Sequence, residues 1–357
     1  MKILYVYPKS DELISRHVAL LTTGLRENAE VRIADNQASF RQALKEMEPD
    51  IVHCHGCWEY FLARACSSAR KNDVRIVVTP HGQLEPWVTK QQSLQENLSK
   101  TLLWQRRTIE KAYAVILLGR LEATNFKELG WNPRTEVIHN AVITNTITSA
   151  EMCSQTLAVY QKVMDSDTIS QMDDDSIHAL AIIIKAGIMG DRRWIHGIGI
   201  PEHIDWRRLL IYARHENISN YVEYGINILG LTTPRIDTSQ IAAYFPDRYT
   251  TPRPLKEAVG NYEGDETNYL VHIIRHINKE PLLLHLIELT RELYRDTVND
   301  DKLCAKLEDM KLLSQAARLM QILSEQTMLD EGFMPMPPLN DRLTKHFRRL
   351  LANHLKI

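Results

Sequence analysis

Short apolar runs at residues 3–7, 30–34, 51–55, 74–79, 114–118 and 136–139 alternate with segments, such as 13–25 and 40–47, whose apolar residues recur at spacings of three and four. Runs of that length bounded by polar residues read as buried strands, and the intervening spacing reads as helices. Strand and helix in alternation predict α/β architecture: a Rossmann-like, doubly wound parallel sheet with helices on both faces. The working residues of such a sheet gather in the loops at the carboxyl ends of its strands.

Past residue 150 the pattern changes. Segments 175–189, 204–231, 267–294, 301–328 and 341–357 carry apolar residues at helical spacing with no series of strands between them. The second half is therefore expected to be mainly helical, giving a Rossmann-like domain over 1–147 and a helical region over 148–357. Proline-bearing joints at 232–234, 249–254 and 333–339 read as boundaries between helical subdomains. Only 14 glycines occur in 357 residues, about half the usual share of roughly 7%. That scarcity argues against a second glycine-punctuated nucleotide-binding domain.

Composition narrows the class of partner. With 44% hydrophobic and 25% charged residues the chain has the make-up of a folded protein. A net charge of −2 provides no global field for nucleic acid, so none is expected as a partner. Five cysteines at irregular spacing make no disulfide framework and fit a reducing compartment. The first apolar run ends at Pro8 with no small-residue cleavage site behind it, and no stretch reaches the roughly 20 apolar residues of a membrane span. A cytoplasmic location is the expectation.

Four motifs stand at strand ends. They are Pro49-Asp50-Ile51-Val52-His53-Cys54-His55-Gly56, then Thr79-Pro80-His81-Gly82, then Glu122 after the run 114–118, and Val137-Ile138-His139-Asn140-Ala141-Val142. In order and spacing they resemble the acceptor-side domain of glycosyltransferase family 4, whose fold is of the GT-B type. The resemblance covers about the first two fifths of the chain. It implies that His81 faces the transferred sugar and is the catalytic candidate, with its imidazole projecting into a cleft. It implies further that His55, Gly56, Gly82, Glu122 and Asn140 line the substrate site.

The same resemblance implies a hexosyltransferase of bacterial polysaccharide or glycolipid assembly. Its substrates would be a nucleotide-sugar donor and a carbohydrate or glycolipid acceptor, with no tightly bound cofactor and no metal ligands. Departures fall on the donor side. The family's Gly-Gly loop after the first strand is here Pro8-Lys9-Ser10-Asp11-Glu12, and no E-x7-E segment follows a strand in 150–357. Lys9, Arg192 and Arg193 are the cations available for a donor diphosphate. The rival expectation is a non-catalytic sugar-binding or scaffolding protein that keeps the acceptor-side fold.

Three other constellations have a bland and a sharp reading. Cys54-His55-Gly56-Cys57 has C-x-x-C spacing, but a structural zinc would need a second ligand pair, and passenger cysteines on a buried strand end are commoner. Asp173-Asp174-Asp175 reads as the acidic first turn of a helix before it reads as a cation site. Segment 341–357 sets Leu343, Phe347, Leu350, Leu351 and Leu355 opposite Arg342, Lys345, Arg349 and Lys356. A basic amphipathic helix can lie on an anionic membrane, which makes this segment the candidate for peripheral membrane contact, although docking on the body of the protein is the commoner use.

Overall fold

Six strands form the sheet: β1 (Lys2–Val6), β2 (Glu30–Ala34), β3 (Ile51–His55), β4 (Arg75–Thr79), β5 (Ala114–Leu117) and β6 (Thr135–Val137). They come from a computed structural model of the chain, which describes residues 1–88, 98–260, 265–295, 297 and 299–357. Every pairing is parallel, in the order β2-β1-β3-β4-β5-β6. The chain leaves β1 toward one edge and returns to its other side as β3, so the strand order reverses between β1 and β3. In doubly wound sheets ligands bind beyond the carboxyl ends at that reversal.

Alternation assigns the faces, because successive strand residues point to opposite sides. Leu4, Val6, Val52, Cys54, Val78 and Val115 pack with α2 (Gln37–Met47), α3 (Tyr60–Lys71) and the end of the helix Leu98–Glu110. Ile3, Tyr5, Ile51, Val77 and Ala114 pack on the other side with α1 (Glu12–Leu25) and the helix Ser149–Asp165. Helix α1 begins where the Asp11 side chain accepts the Ile14 N–H at 3.0 Å, and it buries Ile14, His17, Val18, Leu21 and Leu25 along one stripe.

The chain divides into two units. The first comprises residues 1–166 with 242–244 and 357, and the second comprises 167–241 and 245–356. The boundary expected at 147/148 therefore lies later, after Ser166, because Met152, Val159, Tyr160 and Val163 of the helix Ser149–Asp165 belong to the core of the sheet unit.

The second unit is helical and holds no strand among the described residues. At its centre the helix Asp174–Met189 is buried from Ala179 to Gly187 on every side, as expected of a helix enclosed by others. It crosses the helix Ser219–Leu229 closely: a Cβ at Gly187 would collide with the Tyr221 carbonyl oxygen, and one at Gly225 with that of Ile183. Lys185, 1% exposed, is held by Asp330 at 2.6 Å, by the Met328 carbonyl at 2.7 Å and by the Tyr294 hydroxyl.

Two sharper readings from the sequence give way to the bland ones. Asp173 caps the helix Asp174–Met189 by accepting the Ser176 N–H at 2.7 Å. In the last helix, Arg342–Asn353, Phe347 and Leu351, and Leu355 beyond it, are buried in the helical core. Asp341 and Arg348 pair with Arg318 and Glu325 of the preceding long helix. The apolar face proposed for a membrane surface is thus largely used in packing, with Leu343 and Leu350 left exposed.

Candidate functional site

Four histidines converge at the carboxyl ends of β3 and β4. His53 and His55 alternate with Val52 and Cys54 on β3 and share the face covered by α1. His53 is fully buried and satisfied on both ring nitrogens, by the Tyr160 hydroxyl at 2.6 Å and the Thr79 hydroxyl at 2.8 Å. His55 is fully buried too, with Nδ1 3.1 Å from Nε2 of His81 and Nε2 without a hydrogen-bond partner. His17 arrives from α1, its ring edge-on to His81 at 5.0 Å between centroids.

Burial and mutual repulsion keep the cluster neutral. Desolvation lowers the pKa of His17, and it drives those of His53, His55 and His81 well below the ordinary histidine value, with their histidine neighbours adding to the depression. At neutral pH each imidazole therefore has one N–H and one lone pair.

The three strand-end loops are tied to one another. The Gln83 side-chain oxygen accepts the Cys57 N–H at 2.7 Å, and its carbonyl accepts the Trp58 indole N–H at 2.8 Å, which joins the loops after β3 and β4. Glu122 joins those after β4 and β5: Oε1 accepts the Gly82 N–H at 2.7 Å and Oε2 the Leu118 N–H at 2.6 Å. Glu85 and Asn125 add a further link between the same two segments. Gly56 adopts φ +94° and donates its N–H to the Thr79 carbonyl at 2.8 Å.

His81 has φ +57°, in the left-handed region that L-residues other than Asn, Asp and His seldom enter. A non-glycine residue held there costs of order 1–3 kcal/mol and persists only where its surroundings impose it. Here Pro80 precedes it, and the Gly82 amide is pinned by Glu122. Gly82 itself has open space where a side chain would stand, so a ligand can approach the backbone beside His81.

The structure gathers six of the sequence-selected residues, His55, Gly56, His81, Gly82, Glu122 and Asn140, at this end of the sheet unit. Their roles differ from expectation in two cases. His81 does not project freely: it is half-buried, and its Nε2 is turned onto His55. Glu122 has both carboxylate oxygens on backbone amides. Asn140 is buried, its Oδ1 accepting the Val142 N–H at 3.0 Å and lying 3.0 Å from His17 Nδ1.

Of the donor-side candidates, one lies in the sheet unit and two in the helical unit. Lys9 is exposed and lies 3.7 Å from Asp35. Arg192 and Arg193 belong to the helical unit, where Arg193 pairs with Asp191 of its own loop and Trp194 stacks edge-on against Tyr294 and Phe333. A cavity of about 650 Å³ in that unit is lined by Val222, Ile226, Arg235 and Asp237 and includes neither arginine. The C-x-x-C spacing is also coincidental. Cys54 points to the face away from His55, its Sγ 3.0 Å from Cys66 Sγ; that contact, with burial, raises the pKa of Cys54 well above the ordinary thiol value, and burial does the same for Cys57.

The sequence reading did not single out His17, Gln83 and Asn125, which the structure places at this cluster and its loops. The signal for His17 was present, since it interrupts the buried stripe of α1 between Ile14 and Val18. Gln83 and Asn125 act on backbone and side-chain groups far along the chain, and residue spacing contains no trace of such ties.

The N-terminal region matches the model of Glycosyltransferase Family 4 over residues 8–146, the stretch that contains the histidine cluster and its loops. The match ends before the helical unit begins. No curated protein and no solved structure matches the chain. The fold and the match together liken the N-terminal region to a family 4 glycosyltransferase domain.

Proposed function

We propose that this protein transfers a hexose from a nucleotide sugar to a carbohydrate or glycolipid acceptor during polysaccharide or glycolipid assembly. The observation that carries the reading is the convergence of His55, His81 and the uncovered Gly82 backbone at the end of the sheet where the strand order reverses, inside the family-matched region. Neutral imidazoles suit sugar hydroxyls, since each can donate one hydrogen bond and accept another. His81 Nδ1 makes no hydrogen bond within the described residues and is the nitrogen offered to substrate. Held in a fixed backbone conformation, it meets a hydroxyl without reorganising, and that preorganisation favours the transition state as positive charge develops on the sugar ring.

Charge on the departing diphosphate needs cations. Lys9, Arg192 and Arg193 remain the residues nominated for that task. The absence of a parallel sheet among the described residues of the helical unit favours the second reading, a sugar-binding protein without transferase activity. Replacement of His81 by Ala separates the two. The enzyme reading expects transfer to fall at least about tenfold, equivalent to about 1.4 kcal/mol of transition-state stabilisation, with the melting temperature nearly unchanged. Full activity in His81→Ala would remove His81 from the mechanism, and an inactive wild-type chain that still binds sugar would support the second reading.

A further inference from the structure

We propose that His17, His55 and His81 form a binding site for one divalent transition-metal ion of the zinc type. The inference concerns the chain's own side chains and does not rest on the proposed transfer reaction.

One ring nitrogen from each of the three residues lies within 4.8 Å of the others. Zinc holds imidazole nitrogens at about 2.0–2.1 Å, and three such donors on a tetrahedron sit about 3.3 Å apart. Small ring rotations close the difference, and the 3.1 Å approach of His55 Nδ1 to His81 Nε2 is already inside it. A purely nitrogen donor set selects borderline ions such as zinc, cobalt or nickel over magnesium or calcium, which take oxygen ligands.

The hydrogen-bond pattern presets one ligand. The Asn140 side-chain oxygen is identified by the Val142 N–H that it accepts, so the contact at 3.0 Å from His17 Nδ1 requires an N–H on that nitrogen. His17 Nε2 is then left with its lone pair. A ring N–H donated to a fixed oxygen is the arrangement that orients metal-bound histidines in general.

His81 takes part through the nitrogen facing His55, so its Nδ1 remains available to substrate.

The test is calorimetric titration of the full chain, stripped with chelator and dialysed, with zinc chloride, repeated with cobalt chloride while the visible ligand-field absorption is followed. One equivalent per chain and a tetrahedral cobalt spectrum are expected. His17→Gln and His81→Gln should each weaken binding by at least about tenfold, and Asn140→Ala by about 10–100-fold. The variants are compared only where their circular dichroism matches the parent. His81→Gln is the safeguard, because His81 is the least buried of the three. No binding by the parent chain would overturn the proposal. So would binding that survives both histidine variants, or binding lost on Cys54→Ala/Cys57→Ala with the histidines intact.

Discussion

Glu122 accepts the Gly82 N–H at 2.7 Å across 40 residues of chain while its other oxygen accepts the Leu118 N–H at 2.6 Å. One carboxylate thus fixes the loop that presents His81 to the strand end before the helix Arg120–Leu129. Burial raises its pKa, and the two amide hydrogen bonds oppose that shift.

Removing this clamp should loosen the site and the fold together. Glu122→Ala leaves two amides without their partner, at a cost of about 1–3 kcal/mol, which denaturant unfolding would register. Glu122→Gln keeps one acceptor oxygen and should lose less. Equal stability in all three proteins would show that the loops are held by other contacts.

The helical unit has its own point of failure. Gly187→Ala and Gly225→Ala each place a methyl group against a backbone carbonyl of the facing helix, and overpacking of that kind costs about 1–3 kcal/mol. Chemical denaturation should show a lower midpoint for both. Gly119, with open space where a Cβ would stand and no positive φ, is the control, and Gly119→Ala should change the midpoint little.

Glu216 gives the stability a pH dependence. It is fully buried, 3.2 Å from His354 Nε2, and burial pushes its pKa up to about 8 from the ordinary 4.5. A carboxyl whose folded pKa is raised contributes stability that is fully present below the unfolded value and lost as pH rises through the folded one. Unfolding free energy should therefore decline between about pH 4.5 and 8. Glu216→Gln should flatten that decline and exceed the parent's stability at pH 9. A parent and variant with parallel pH profiles would place the Glu216 pKa near its ordinary value.

The inner strands β1, β3, β4 and β5 were legible because burial on both faces demands unbroken apolar runs, and the runs at 51–55 and 74–79 matched β3 and β4 to within a residue. The helical second half was legible from spacing alone. The site was legible as far as its strand-end motifs, which bring His55, Gly56, His81 and Gly82 together. What the motifs could not tell was orientation. His81 turns onto His55 because its left-handed backbone aims it there, and backbone angle leaves no mark at a histidine. The unit boundary was misplaced because the spacing in 149–165 describes a helix without saying which core it buries against.

The most direct test of the account is calorimetric titration of the full chain with uridine, guanosine, adenosine, cytidine and thymidine diphosphates, with chelator present to keep metal binding separate. A nucleotide-sugar transferase should bind one of them saturably, at one per chain, and the corresponding nucleotide sugar should compete for the same site. Absence of binding by every diphosphate and by the nucleotide sugars would contradict the proposed function.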